Sequence, residues 1–251
     1  TVSRTAATVI AMRCPRHRIE AAMLAQSARC WRVSITRQAW LGARALLRLS
    51  LSPARFRYPD PDVISIDSLN QRRSVPSRQL GEPGPDPDQL DALLRAAIRV
   101  PDHGKLVPWR LLVIRGEARA RLGAALAAIH ARNEPAIAPS ALDKDRERFT
   151  HAPLIVAVIA RIEDNHPKIP AQEQLLSAGC VACNLLLGAQ ALGFGAQWLT
   201  GWAAYDSDAA ALLGLAAREQ VVGFIHIGTP QLEIPDRDRP ALADVIDSWR
   251  P

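Results

Sequence analysis

Three short segments carry side chains whose chemistry and spacing could bind or transform a ligand. Arg72-Arg73-Ser74 sets two guanidiniums beside a hydroxyl. Such a donor set suits an anion like phosphate, because each planar fork of N–H groups matches two oxygens. The triplet falls at the end of an expected helix, and taken alone its simpler reading is a solvated basic C-terminus opposing the helix dipole. His103 follows Pro101-Asp102 in a loop between a helix and a strand, where binding residues concentrate; a structural loop residue fits that position equally well. Trp198-Leu199-Thr200-Gly201 ends a short strand after a glycine turn and offers a hydroxyl and free backbone groups.

Other candidates carry less. Cys180 and Cys183 have a redox-pair spacing but fall inside a long apolar helix, whereas a reactive pair belongs at a helix N-terminus where the dipole lowers the thiol pKa. Two small core residues packed on a neighbouring helix are the expected account. No further ligands are spaced for zinc, and no two histidines stand at metal spacing on one helix. His226 is expected to be a satisfied core residue in a strand, His151 and His166 lie in loops beside prolines, and His17 and His130 have no evident role. The chain has neither a phosphate-binding G-x-x-x-x-G-K-[ST] loop nor a G-x-S-x-G elbow. Gly193-Phe194-Gly195 follows a helix rather than a strand, so a dinucleotide-binding turn is excluded.

The net charge of +6 would suggest a polyanionic partner, but it resides in one place. Residues 1–57 hold eleven Arg, no Lys and a single acid, Glu20, leaving 20 basic and 24 acidic residues over 58–251. A nucleic-acid enzyme would carry positive charge on its folded body; this body is acidic, and no nucleic acid is expected as partner. An amphipathic presequence or a basic surface arm would share that Arg-rich composition. A disordered or artefactual extension over 1–62 is the preferred reading, with a helix conceivable over 36–51. No charge-free apolar run is expected to span a bilayer, so no membrane partner is expected. Four cysteines, among them Cys14 and Cys30, are too few for a disulfide framework, which favours a reducing, cytoplasmic compartment.

The elements that must position these residues occupy 63–251, after a Pro/Asp-rich linker at 53–62. A short helix opens at Ser65-Ile66-Asp67 and runs to about Arg72, and the Pro/Gly-rich 73–87 is expected as extended loop. Asp86 caps a helix with Pro87 at its first position and Leu90, Leu93, Leu94 and Ala97 as its inner face. Buried strands are expected at 109–114, 153–160, 196–200 and 221–228. Helices are expected at 117–131, 171–192 (closed by Gly193), 206–213 and 244–249. Because the strands are apolar on both faces, helices must cover both sides of one sheet. The order is not a regular β-α-β repeat, so an α+β sandwich fits better than a doubly wound sheet.

Four stretches, RRSVPSRQL (72–80), LLRAAIRVPDHGKLVPWRLLVI (93–114), QEQLLSAGCVACNLLLGAQALGFGAQWLTG (172–201) and VVGFIHIGTP (221–230), together resemble the nitroreductase family, in its compact single-domain NAD(P)H branch. The resemblance spans about 64–232 and leaves out the N-terminal segment. It implies a three-layer α+β sandwich with a central mixed or antiparallel sheet, and a homodimer holding FMN at the subunit interface. Arg72, Arg73 and Ser74 would then hold the FMN phosphate and ribityl chain. Arg99 and His103 would reach the partner subunit's flavin, with His103 the one candidate near the reacting ring. Trp198, Leu199 and Thr200 correspond to a second flavin segment, and Ala189 to Phe194 to a nicotinamide region. The activity implied is electron transfer from NADH or NADPH, through FMN, to a nitroaromatic or quinone-like small acceptor in ping-pong fashion.

Departures from the family pattern bear on flavin affinity. Val107 replaces a frequent Gln before Pro-Trp, Leu199 replaces a frequent Arg, and Pro76 is a one-residue insertion; weaker FMN retention is expected. Alternatives are an FMN-dependent dehydrogenase or dehalogenase, with 132–170 as its substrate lid, and a flavin-sequestering protein of little turnover. A nucleic-acid binder working through the N-terminus is the weakest.

Overall fold

The computed structural model describes residues 65–250. The Arg-rich segment and linker at 1–62, the helix expected over 36–51, Cys14, Cys30, His17 and the expected fold start at Val63 lie outside the described residues.

In chain order the elements are α1 (Ile66–Asn70), β1 (Leu80–Gly81), α2 (Pro87–Ala97), β2 (Trp109–Arg115), α3 (Glu117–Asn133), α4 (Pro139–Arg148), β3 (Leu154–Arg161), α5 (Ala171–Ala191), β4 (Gly195–Leu199), α6 (Ser207–Leu212) and β5 (Glu219–Pro230). The strands make one antiparallel sheet in the order β1-β5-β3-β2, with β4 paired to β5 on the side away from β3. In β3 the seven residues from Leu154 to Ala160 are buried, as a central strand covered on both faces must be. Leu154, Val156, Val158 and Ala160 face a core shared with α2 and α5. Ile155, Ala157 and Ile159 face a second core with α3, α6 and Phe149. The expected α+β sandwich, with helices on both faces of an antiparallel sheet, is therefore the observed architecture.

Local signals placed most helix ends. The Asp86 carboxylate accepts from the Gln89 N–H at 2.8 Å while the Gln89 side chain accepts from the Asp86 N–H at 3.0 Å, a reciprocal cap that satisfies two otherwise orphaned donors. Leu90, Leu93 and Ala97 then point inward. On the other face, the α3–α4 contact depends on Gly123, where an added Cβ would run into the Arg146 carbonyl oxygen. A Gly123→Ala protein is expected to lose about 1–3 kcal/mol, since overpacking against backbone has no cheap relief. Urea denaturation measures this, and an unchanged midpoint would contradict the close contact.

Several expectations need correction. The loop at 73–87 contains a 3-10 turn (Ser77–Gln79) and the strand β1, whose partners Thr229 and Pro230 lie far along the chain and beyond local signals. No helix forms over 244–249: a 3-10 turn at Leu242–Asp244 precedes exposed chain, with no core for a short helix to bury against. The strand β2 is an edge strand rather than fully buried, and its Val113 is 37% exposed. The supposed lid at 132–170 instead supplies α4, packed on α3, and the central strand β3.

Cys180 and Cys183 are exposed rather than core. The inward stripe of α5 is Ala178, Val181, Ala182, Leu185 and Ala189, and the helical period turns both thiols away from it. Leu175 and Leu176, also off the stripe, are 40% and 61% exposed. The expectation about bilayer-spanning runs fails as well: α5 is long and apolar enough by length and composition, although its inner stripe packs on the sheet and α2.

His226 is in the core but is not satisfied. It is fully buried, and neither ring nitrogen has a hydrogen-bond partner among the described residues. Burial, reinforced by the nearby charge of Arg148 and His151, pushes its imidazole down to about 3. By contrast His130 belongs to a complete network: its Nδ1 lies 2.6 Å from Asp145, which also accepts from the Trp202 indole at 3.0 Å. At the sheet edge, Glu219 accepts two bonds from Arg110 and one from Arg161, tying β2 and β3 to the start of β5. The Arg110 guanidinium holds that carboxyl down at about 2.

Candidate functional site

The chain from Val75 to Ser77 is docked on β4. The Val75 N–H donates to the Ala196 carbonyl at 3.0 Å, and the Ser77 N–H donates to the Gln197 side chain. Val75 itself is buried in a small core with Leu80 and Ala152. A backbone bond, a side-chain bond and an apolar anchor thus fix this segment on the strand that carries Trp198 and Leu199, and leave the preceding Arg72, Arg73 and Ser74 at the surface.

Within the triplet the two guanidiniums differ. Arg72 is half-buried, and its only partner among the described residues is the Ser74 hydroxyl at 3.4 Å, a weak bond that a ligand could replace. Arg73 donates to the Ile234 carbonyl at 2.9 Å and lies 3.8 Å from the Asp236 carboxylate. Arg72 with Ser74 therefore retains free donor capacity of the kind a phosphate takes, whereas Arg73 is partly spent on the C-terminal segment. By the chemistry of its donors the triplet fits an anionic cofactor.

In the second segment Trp198 is 36% exposed, and its indole donates to the Val222 carbonyl at 3.1 Å. The indole packs closely on Gly223, where any Cβ would overlap its Nε1 and Cδ1. A Gly223→Ala protein should consequently swing Trp198 away. Tryptophan fluorescence would shift, and any ligand resting on the indole would bind more weakly; an unaltered spectrum would contradict this packing. Leu199 is half-buried opposite Phe224, and Thr200 is half-buried without a hydrogen bond among the described residues. In the stretch 189–194, Ala189 is fully buried and Phe194 packs on the core, so the exposed positions are Ala191 and Gly193.

Arg99 and His103 stand elsewhere. Both follow α2, and both are exposed. Their loop is bolted to α5: the Asn184 amide donates to the carbonyls of Ala96, Ala97 and Arg99, and the Ser177 hydroxyl donates to Pro101 at 2.9 Å. The Asp102 carboxylate accepts from the N–H groups of Leu106 and Val107, at 3.1 and 3.0 Å. Those bonds hold Lys105 and Val107 at φ of 57° and 51°, which for a β-branched valine is strained backbone. The Arg99 guanidinium has no partner among the described residues, while His103 Nδ1 lies 2.7 Å from Glu173 Oε2.

Arg72 and His103 belong to opposite ends of α5, with Arg99 between them at Asn184. Gln190, near its C-terminus, bonds Ser68 just before Arg72, and Glu173, in its first turn, bonds His103. Seventeen residues of helix separate those contacts by about 25 Å. Arg72 and His103 of one chain therefore cannot grip the same part of one small ligand. Cavities of about 400 Å³ and 320 Å³ open at the His103 end and share Ile162, Arg218 and Glu219; the smaller is also lined by Val107.

Sequence reading missed Glu173, Ser177, Asn184 and Asp102. A signal for the first existed, since it is the one charged residue in a helix otherwise free of charge. Ser177 and Asn184 act on backbone atoms whose approach is tertiary, whereas Asp102 accepts from N–H groups only four and five residues on.

Residues 69–229 match the family model described as the nitroreductase family. The chain is 39% identical over 171 residues to YdjA of Escherichia coli, assigned by name to the NAD(P)H nitroreductases, covering 67% of this chain and 90% of that protein. Among solved structures, a nitroreductase-like family protein from Bacillus cereus superposes with a TM-score of 0.62 at 22% identity, covering 78% of this chain and 99% of that one. A nitroreductase from Desulfovibrio desulfuricans in complex with FMN gives a TM-score of 0.57 at 24% identity, over 78% of this chain and 99% of that one.

Proposed function

The chain belongs to the nitroreductase family, and from that premise we propose that it is an FMN-dependent oxidoreductase passing electrons from NADH or NADPH to a nitroaromatic or quinone-like acceptor. The observation that carries this reading is the anchoring of Val75 and Ser77, directly after Arg72-Arg73-Ser74, on the strand that carries Trp198 and Leu199. FMN, when bound, supplies the electron-accepting ring, so the protein needs no catalytic triad. Arg72 and Ser74 bind the phosphate, the Trp198 indole and the Thr200 hydroxyl line the cofactor, and Arg99 and His103 act from the neighbouring subunit. The homologue assigned to the NAD(P)H nitroreductases supports the donor, and the FMN-bound structure of the same fold supports the cofactor.

Two features support a homodimer. The roughly 25 Å of helix between the Arg72 and His103 ends calls for a second subunit if both residues serve the same part of one cofactor. The outer face of α5, with Leu175, Leu176, Cys180 and Cys183 exposed, offers an apolar surface for that subunit. Exposed free thiols also suit a reducing cytoplasm.

Purified protein is expected to be yellow, to be bleached anaerobically by NADH or NADPH, and to regain colour with a nitroaromatic or a quinone. Light scattering should give twice the chain mass. Colourless protein that FMN cannot reconstitute would sink the reading. Yellow protein that nicotinamide cannot bleach would favour flavin sequestration, towards which the apolar Leu199 and the partly engaged Arg73 lean.

A further inference from the structure

Glu173, Ser177 and Asn184 occupy one stripe of α5, at i, i+4 and i+11, and all three bond the loop that follows α2. Their targets differ. Ser177 and Asn184 bind main-chain carbonyls and would do so whatever residue stood at 103. Glu173 binds a side chain, with its Oε2 at 2.7 Å from His103 Nδ1. It is also the sole charge on this helix and lies in the first turn, where the helix dipole favours a carboxylate.

An ionised carboxylate only accepts hydrogen bonds, so Nδ1 must carry the proton. In the neutral imidazole the other nitrogen, Nε2, is then a pure acceptor. The two ring nitrogens diverge, which turns Nε2 away from α5, and it has no partner among the described residues. His103 and Glu173 are 58% and 49% exposed, so the pair contributes little to stability. Its consequence is the direction and polarity of one exposed ring.

We propose that Glu173 is a positioning residue: it fixes His103 as the Nδ1–H tautomer, so that Nε2 accepts a hydrogen bond from an N–H or O–H group of the bound nucleotide, a ring imide or a ribityl hydroxyl, rather than donating to its phosphate. The identity of that donor rests on the flavin reading above; the tautomer does not. Phosphate binding is left to Arg72 and Ser74, and His103 meets the uncharged part of the cofactor.

The test uses the full-length protein labelled with ¹⁵N, free and after FMN addition, with His103 signals assigned by their loss in His103→Gln. Long-range ¹H–¹⁵N correlation at neutral pH is expected to show Nδ1–H in both states. In Glu173→Gln, whose amide can donate as well as accept, the tautomers should mix. FMN titration should then give a Kd raised by about two- to tenfold, the value of one neutral hydrogen bond, with Glu173→Asp restoring part of it. Ser177→Ala is expected to leave the tautomer as it is. An Nε2–H or doubly protonated His103 in the unaltered protein overturns the proposal, as does a Glu173→Gln protein with unchanged tautomer and unchanged Kd. If FMN fails to bind the unaltered protein, the flavin reading falls alone, because the tautomer of the free protein still decides the role of Glu173.

Discussion

An Arg72→Ala protein is expected to hold FMN about ten- to a hundredfold more weakly, whereas Arg73→Ala should cost distinctly less. A charge-assisted bond to a phosphate contributes about 1.5–3 kcal/mol, and each 1.4 kcal/mol is about tenfold in Kd. Arg72 brings that bond at little cost, since its present partner is only the Ser74 hydroxyl at 3.4 Å. Arg73 must first weaken its bond to the Ile234 carbonyl and its approach to Asp236. Asp236→Ala should therefore tighten FMN binding slightly by releasing Arg73. Fluorescence titration of apoprotein with FMN reads all three constants. Equal retention by Arg72→Ala and the unaltered protein would remove the triplet from the cofactor site.

The second large effect concerns acid stability. His226 titrates at about 3 in the folded protein against an ordinary 6.5. Because the folded value is depressed, no penalty exists above pH 6.5. As pH falls from 6.5 towards 3, the unfolded chain takes up a proton that the folded chain refuses, and stability drains away. At pH 4.5 the loss attributable to this one group is roughly 2–3 kcal/mol. His226→Leu should abolish it, filling the same space without two unsatisfied nitrogens. At pH 7 the leucine protein should be at least as stable, because replacing an unpaired buried polar group by an apolar one of similar shape is neutral or favourable. Urea denaturation at pH 7 and pH 4.5 measures both quantities. A leucine variant that loses stability between those pH values as steeply as the parent would show that His226 does not govern the acid limb.

Much of the framework was readable from local pattern. The Asp86-Pro87 start of α2, the helical run closed by Gly193, and the apolar stretches of β2, β3 and β5 all follow from propensity and periodicity, which act over a few residues. What failed depended on distant partners. Nothing in Leu80-Gly81 announces that it will pair with Thr229 and Pro230, and nothing near Trp249 reveals that no core will be there to bury it. Cys180 and Cys183 read as core because their neighbours are apolar, yet the face of α5 that meets the sheet is decided by Ala178, Val181, Ala182 and Leu185. His226 shows the limit from the other side. Its strand position forecast burial, but satisfaction of its nitrogens depends on which side chains arrive opposite it.

The candidate site divides along the same line. The amino-acid sequence by itself determined the α+β class, the two Arg-bearing and Trp-bearing segments, and the family to which they belong, because residue types and their order survive without coordinates. Only the tertiary structure decided that Arg72 is available while Arg73 is engaged, that Trp198 rests on Gly223, and that His103 answers to Glu173 seventy positions away. The same structure set His103 about 25 Å of helix from the Arg72 end. These are relations between groups brought together by burial and hydrogen bonding at long sequence separation, and chain order alone carries no distance between them.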